Sequence, residues 1–66
     1  METLIRYFAY EHLTGPMREI SRQFADMAIN IDTTLPKGTE KTVALRKLLE
    51  AKDAAVRAAL DIELTS

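Results

Sequence analysis

Residues 40–60 of the 66-residue chain read EKTVALRKLLEAKDAAVRAAL and predict its longest helix, around which the other segments are organised. Its alanines and leucines are strong helix formers, and neither glycine nor proline interrupts them. A helix over this stretch is about 31 Å long, which matches the diameter of a small domain. The remaining segments are too short to enclose it, so we expect them to pack along its length.

Apolar residues on this helix form two adjacent strips. The first strip contains Leu45, Leu48, Ala55, Ala59 and Ile62, and the second contains Leu49, Val56 and Leu60. The first follows the period of a core seam, so a two-helix hairpin would bury it and leave part of the second for a partner. Lys41 and Lys52 lie on the first face. Either their stems pack while their ammonium groups stay in water, or the two cations hold an anion beside an apolar surface.

Length and composition favour one small domain over residues 1–66 that is stabilised by self-association. A chain of this size buries only about 60% of its unfolded surface, so the monomer should be marginally stable. The sequence has no cysteine for a disulfide and no Cys/His pattern for a structural metal. Oligomerisation is the remaining source of stability, and we therefore predict a homo-oligomer.

Charge and hydropathy exclude several classes of partner. A net charge of −1 gives no general attraction to DNA or RNA polymers, and 47% hydrophobic residues argue against a disordered chain. The apolar runs are short and interrupted by charge, so we predict no membrane span and no signal peptide. These features predict a cytoplasmic protein.

Turn signals divide the rest of the chain into two shorter helices. We predict a short N-terminal helix over 3–13 and, after the break at Gly15 and Pro16, a second helix over 16–31. The second helix has an apolar seam spaced 3, 4, 3 and 4, formed by Met17, Ile20, Phe24, Met27 and Ile31. Breaking residues between 32 and 39 connect it to the long helix over 40–61. The predicted fold is all-α, with a short N-terminal helix and an antiparallel two-helix hairpin.

The N-terminal helix carries an aromatic pair. Tyr7 and Tyr10 are three residues apart and share a helical face. They either pack at the rim of an interface or provide a platform on which nucleobases stack. His12 is the sole histidine, and we interpret it as structural rather than catalytic or metal-binding.

Several arginines are candidate anion ligands. Arg18 and Arg22 lie four apart outside the seam, where they form either a solvated face or the cationic wall of an anion site. On the long helix, Arg46 belongs to a ladder of alternating charges. Arg57 is the better phosphate ligand because it lies near the end that projects beyond the hairpin.

The sequence carries no catalytic motif. It lacks a P-loop, a dinucleotide-binding glycine motif, a nucleophile elbow and a metal motif. Its carboxylates lie beside Lys or Arg on helical faces, which explains them without acid-base chemistry. We predict a protein that is not an enzyme and that uses no cofactor and no metal.

The chain resembles a family of small phage helical-hairpin proteins, the anti-CBASS and anti-Thoeris sponges. The resemblance extends from about Leu4 to Leu60 and is strongest after Leu35-Pro36. There the pattern E-[KR]-[ST]-x-A-L-x-K-L-x-E-A is matched by Glu40, Lys41, Thr42, Ala44, Leu45, Lys47, Leu48, Glu50 and Ala51. Upstream, Phe8-Ala9-Tyr10 matches the family's F-x-Y element.

The resemblance implies a function in phage immune evasion. Such proteins assemble as hexamers and bind cyclic oligonucleotide messengers between protomers without cleaving them. Ligands would be cyclic dinucleotides such as cGAMP, or cyclic trinucleotides, captured in the cytoplasm of the infected bacterium to block CBASS-type signalling.

The resemblance also implies roles for particular residues. Tyr10 would stack a base and Arg22 would be the basic residue of the second helix. Lys41, Thr42 and Arg57 would reach phosphate or ribose, and Tyr7 would extend the aromatic surface. The alternative is an oligomeric helical adaptor or inhibitor that binds a host protein through the second apolar strip.

Overall fold

The computed structural model describes residues 3–65, including the side chains of residues 3–62, and this part of the chain is all-helical. A 3-10 helix spans Thr3–Phe8, helix α1 spans Gly15–Thr34 and helix α2 spans Thr39–Thr65. The two long helices pack against each other, and the N-terminal segment contacts both. Helix α2, about 40 Å long at 1.5 Å per residue, accounts for the longest dimension of the molecule, 42 Å. The prediction of an all-helical hairpin is confirmed.

The N-terminal segment differs from the predicted helix over 3–13. Its helical part ends at Phe8, and the chain then turns so that the amide of Leu13 donates to the carbonyl of Tyr10 at 3.0 Å. A free helix of this length is marginal in water, so tertiary contacts decide its conformation. The side chain of Phe8 is 2% exposed, and its burial against the hairpin fixes the segment.

Both long helices extend beyond their predicted bounds. Helix α1 begins one residue before Pro16 and continues to Thr34, so the connection to α2 is only 35–38. Gly15 has a φ of 62°, in the left-handed region that glycine adopts without steric cost. Thr14 precedes the helix in an extended conformation, but its side chain makes no capping hydrogen bond. The sharp entry into α1 therefore depends on Gly15.

The buried seam of α1 is not the predicted one. The buried positions of this helix are Ser21, Ala25, Ala28 and Asp32, each one residue beyond a predicted seam position. Met27 is 54% exposed, whereas Ala28 is fully buried. A shift of one residue rotates the buried face by about 100°. Small side chains at the contact let the two helix axes approach closely, while Phe24 and Ile31 pack beside the seam.

The core joins all three elements. Phe8 from the N-terminal segment, Ala25 and Ala28 from α1, and Leu45 from α2 form its buried cluster. Partly buried apolar residues surround this cluster: Leu4, Ile5, Tyr10, Phe24, Ile31, Leu48 and Leu49. Within the described side chains, this cluster thus lies between the middle of α1 and the first half of α2, and Ala59, in the second half of α2, is also buried.

The second apolar strip of α2 is only partly open. Leu49 packs against the core and Val56 is half-buried, whereas Leu60 is 41% exposed. Other large apolar residues exposed on the described surface are Met27, Ile29, Leu35, Val43 and Ile62. No helix in the described part of the chain is long and apolar enough to cross a membrane.

Candidate functional site

A cleft of about 500 Å³ lies between the N-terminal segment and the second half of α2. We call it the Tyr7 cleft, and its polar lining residues are Arg6, Tyr7, His12, Lys52, Asp53 and Arg57. The apolar part of the lining includes Leu13 and Val56. The cleft therefore combines an aromatic ring, three permanent cations and an apolar wall.

Local structure explains why these residues converge. Because Phe8 is buried in the core, it anchors the 3-10 helix while its neighbour Tyr7 remains exposed. On α2, Lys52 and Asp53 lie four and three residues before Val56, a spacing that places them on one helical face. The two elements then meet with their polar side chains directed to a common space.

Arg6 and Tyr7 form a stacked, hydrogen-bonded pair in the lining of the cleft. The guanidinium Nη2 of Arg6 donates to the Tyr7 hydroxyl at 3.0 Å, and its carbon lies 5.0 Å from the centre of the Tyr7 ring. An arginine that stacks on an aromatic ring keeps donors available for a carboxylate or a phosphate. The Tyr7 side chain is itself 50% exposed, so a ligand can reach it.

The charges of the cleft favour an anion. Lys52 Nζ lies 3.1 Å from Asp53 Oδ1, and the lysine side chain is 13% exposed while that of Asp53 is 51% exposed. Among the residues whose side chains are described, no carboxylate lies within salt-bridge distance of Arg6 or Arg57. Three cations and one carboxylate give the cleft a net charge of +2 when His12 is neutral.

Tyr10 lies on a different surface from Tyr7. It is half-buried against the core and lines a smaller cleft of about 180 Å³ with Ala25 and Ile29. The guanidinium carbon of Arg18 lies 5.3 Å from the centre of the Tyr10 ring. The prediction that both tyrosines share one face is therefore wrong, because the helix that would have aligned them ends between them.

Arg22 is engaged by two carboxylates of its own helix. Its guanidinium binds Glu19, three residues earlier, and donates from Nη1 to Asp26 Oδ2 at 2.8 Å. The hydrogen bond from Arg22, together with its charge, holds the pKa of Glu19 below its ordinary value. An anion at Arg22 must compete with these contacts, whereas one at Arg57 meets no such competitor among the described side chains.

Lys41 and Thr42 lie at the hairpin end of α2. Lys41 Nζ is 2.9 Å from Asp32 Oδ1, and the Thr42 hydroxyl lies 3.3 Å from the carbonyl of Gly38. The Lys41 side chain is 10% exposed, so neither of the two sequence interpretations describes it: its ammonium is buried in an ion pair. Lys41 precedes Arg57 by about 24 Å along the helix.

The six predicted ligand residues thus occupy three places in one protomer. Tyr7 and Arg57 share the Tyr7 cleft, Tyr10 and Arg22 lie on the α1 side, and Lys41 and Thr42 lie at the hairpin end. Sequence reasoning missed Arg6 and Asp53 as members of the cleft. Arg6 had one available signal, its position next to Tyr7, but only the tertiary fold brings either residue to α2.

Comparison with known proteins identifies no relative of this chain: no family model, curated protein or solved structure matches it significantly. Within the described residues, no group of three or more His, Cys, Asp or Glu side chains is arranged to hold a metal ion. The geometry and charge of the Tyr7 cleft are therefore the basis for assigning a function.

Proposed function

We propose that this protein is a homo-oligomer that binds cyclic oligonucleotide messengers and sequesters them without cleavage. The observation that carries the proposal is the convergence of Arg6, Tyr7, Lys52 and Arg57 on one cleft. In this role it would act in the cytoplasm of an infected bacterium, as a phage protein that blocks CBASS-type signalling. The sequence resemblance to phage sponges supports that setting.

The size and charge of the cleft fit a nucleotide ligand. Small-molecule sites commonly enclose about 300–1,000 Å³ and combine apolar walls with a few convergent polar groups. Arginine guanidinium groups bind phosphate oxygens through paired hydrogen bonds, and a tyrosine ring supports base stacking. The net charge of +2 equals in magnitude the charge on the two phosphodiesters of a cyclic dinucleotide.

Assembly would bring the separated candidate residues together. Within one protomer, Lys41 and Arg57 are too far apart along α2 to contact the same cyclic dinucleotide. A ligand bound between protomers could contact the Tyr7 cleft of one and the α1 side or the hairpin end of another. Exposed apolar residues on several faces supply surfaces that such contacts would bury, including Met27, Ile29 and Leu60. A hexamer is the assembly that the resemblance implies.

Sequestration requires affinity rather than turnover. A site of nanomolar affinity corresponds to a binding free energy of about −12 kcal/mol, which charge-assisted hydrogen bonds and base stacking can supply together. Asp53, the carboxylate of the cleft, lies 3.1 Å from Lys52, and this contact supports a role in binding rather than in catalysis.

Isothermal titration with cyclic di- and trinucleotides tests the proposal. We expect saturable binding, and chromatography of ligand released by heat should recover it chemically intact. Absence of binding across the panel would reject the proposed function, and recovery of a cleaved product would replace sequestration with catalysis.

A host-protein adaptor or inhibitor is the second candidate, and the exposure of Leu60 and Ile62 favours it. Leu60 belongs to the second apolar strip and Ile62 to the first, and both lie toward the end of α2, where a partner helix could bind. Stoichiometric recovery of one host protein, lost in the Leu60→Asp variant and retained in Arg57→Gln, would support this candidate over the first.

A further inference from the structure

The Tyr7 cleft contains one carboxylate among its cations, and its position bears on ligand choice. A phosphate next to the ionised side chain of Asp53 would be repelled, whereas Arg6 and Arg57 attract it. The polar lining therefore supplies cations that suit phosphate and, at Asp53, an acceptor that suits a hydrogen-bond donor. On a cyclic nucleotide, the donors are the free ribose hydroxyls and the N–H groups of the base, and only the base donors differ between nucleotides.

The Asp53 carboxylate lines the cleft and is accessible for such a contact. Lys52 binds Oδ1 at 3.1 Å and restrains the group, and the side chain remains half exposed to the cleft. An ionised carboxylate is only an acceptor, and its two oxygens suit two parallel N–H donors. Guanine presents such a pair, N1–H beside the N2 amino group. Adenine presents its N1 acceptor at the corresponding position, and the carboxylate repels it.

We propose that Asp53 reads the base edge of the ligand and makes the Tyr7 cleft selective for guanine-containing cyclic nucleotides. This inference rests on the proposed function and adds a choice among its ligands. Tyr7 supplies stacking that is indifferent to base identity, so discrimination comes from the carboxylate. A bidentate contact of this kind gives about tenfold discrimination or more against the wrong base.

The test compares the dissociation constants of cyclic di-GMP and cyclic di-AMP by isothermal titration. The wild-type protein should bind cyclic di-GMP about tenfold more tightly, and Asp53→Asn should remove that preference. The substitution also leaves Lys52 without its carboxylate and strengthens attraction for every phosphate ligand. The ratio of the two constants, rather than either one, is therefore the readout.

Glu50→Gln is the matched control. It removes the same charge three residues earlier on α2, from an exposed side chain that contacts Lys47 and does not line the cleft, so it should keep the guanine preference. Equal affinity of the wild-type protein for both ligands, or an unchanged ratio in Asp53→Asn, would overturn the role of Asp53 and leave the proposed function standing. Failure of the wild-type protein to bind any cyclic nucleotide would overturn both.

Discussion

The ammonium of Lys41 joins the start of α2 to the end of α1 through two contacts with Asp32. It lies 2.9 Å from the carboxylate Oδ1 and donates to the main-chain carbonyl of the same residue at 2.7 Å. That carbonyl belongs to the last turn of α1, where main-chain acceptors are commonly bonded by side chains. A cation there also interacts favourably with the helix dipole. Lys41 thus links the two helices of the hairpin and donates a hydrogen bond to a main-chain carbonyl at the end of α1.

We expect Lys41→Met to destabilise the fold strongly. The Asp32 side chain is only 5% exposed, so the substitution removes the Lys41 ammonium from beside a buried carboxylate. Breaking a buried pair in this way costs about 3–5 kcal/mol. Urea denaturation followed by circular dichroism measures the loss.

Lys47→Met is the control for this prediction. Lys47 contacts Glu50 at 3.8 Å on the solvent-exposed side of α2, so its removal should change the free energy of unfolding by less than about 1 kcal/mol. Equal stability of the two variants would contradict the structural role of Lys41.

Gly15→Ala should lower stability, while the same change at Gly38 should not. The φ of 62° at Gly15 is costly for any residue with a β-carbon, by about 1–2 kcal/mol. A β-carbon at Gly38 would meet no atom within 4 Å, so Gly38→Ala should be neutral or stabilising by about 0.4–1 kcal/mol. Thermal unfolding distinguishes the two, and a more stable Gly15→Ala variant would refute the account of the turn.

Substitutions of the two tyrosines should affect different properties, namely ligand binding for Tyr7 and stability for Tyr10. Tyr7 is half exposed, so Tyr7→Ala should weaken cyclic nucleotide binding about tenfold or more through lost stacking, with an unchanged melting curve. Tyr10 packs against the core, so Tyr10→Ala should lower the melting temperature. Paired titration and melting experiments test both outcomes. If Tyr7→Ala bound the ligand with wild-type affinity, the Tyr7 ring would not be part of the binding site.

The contact between Arg22 and Glu19 predicts a pH effect. Because the hydrogen bond and charge of Arg22 lower the pKa of Glu19, the contact stabilises the fold above the ordinary glutamate pKa. That contribution is lost as the pH falls through the lowered value. NMR titration of the Glu19 carboxyl should show the lowered pKa, and Arg22→Gln should raise it. Arg46→Gln, a control on α2, should leave it unchanged, and an equal rise in both variants would contradict the assignment.

Local sequence signals predicted the helices and the hairpin. The uninterrupted run of helix formers indicated α2, and the breaks near Gly15 and Pro36 separated the elements, because both signals act within a few residues. The 3-10 conformation of the N-terminal segment was not predictable in this way. It depends on the burial of Phe8 between two elements distant in sequence.

The sequence also could not identify the buried face of α1. Periodicity predicted that larger apolar residues such as Met27 are buried. In the structure smaller residues such as Ala28 are buried instead, because they let the helices approach closely. Likewise, sequence spacing indicated that Arg57 and Tyr7 were candidate ligands, but did not place them together. The Tyr7 cleft is a product of tertiary packing, which also added Arg6 and Asp53 to it.

Native mass spectrometry of the purified protein, with and without a mixture of cyclic di- and trinucleotides, reports both the assembly and the ligand that it holds. We predict a hexamer that gains whole ligand masses and releases the ligands intact on denaturation. A monomer or dimer that gains no ligand mass would contradict the proposed sequestration of cyclic nucleotides.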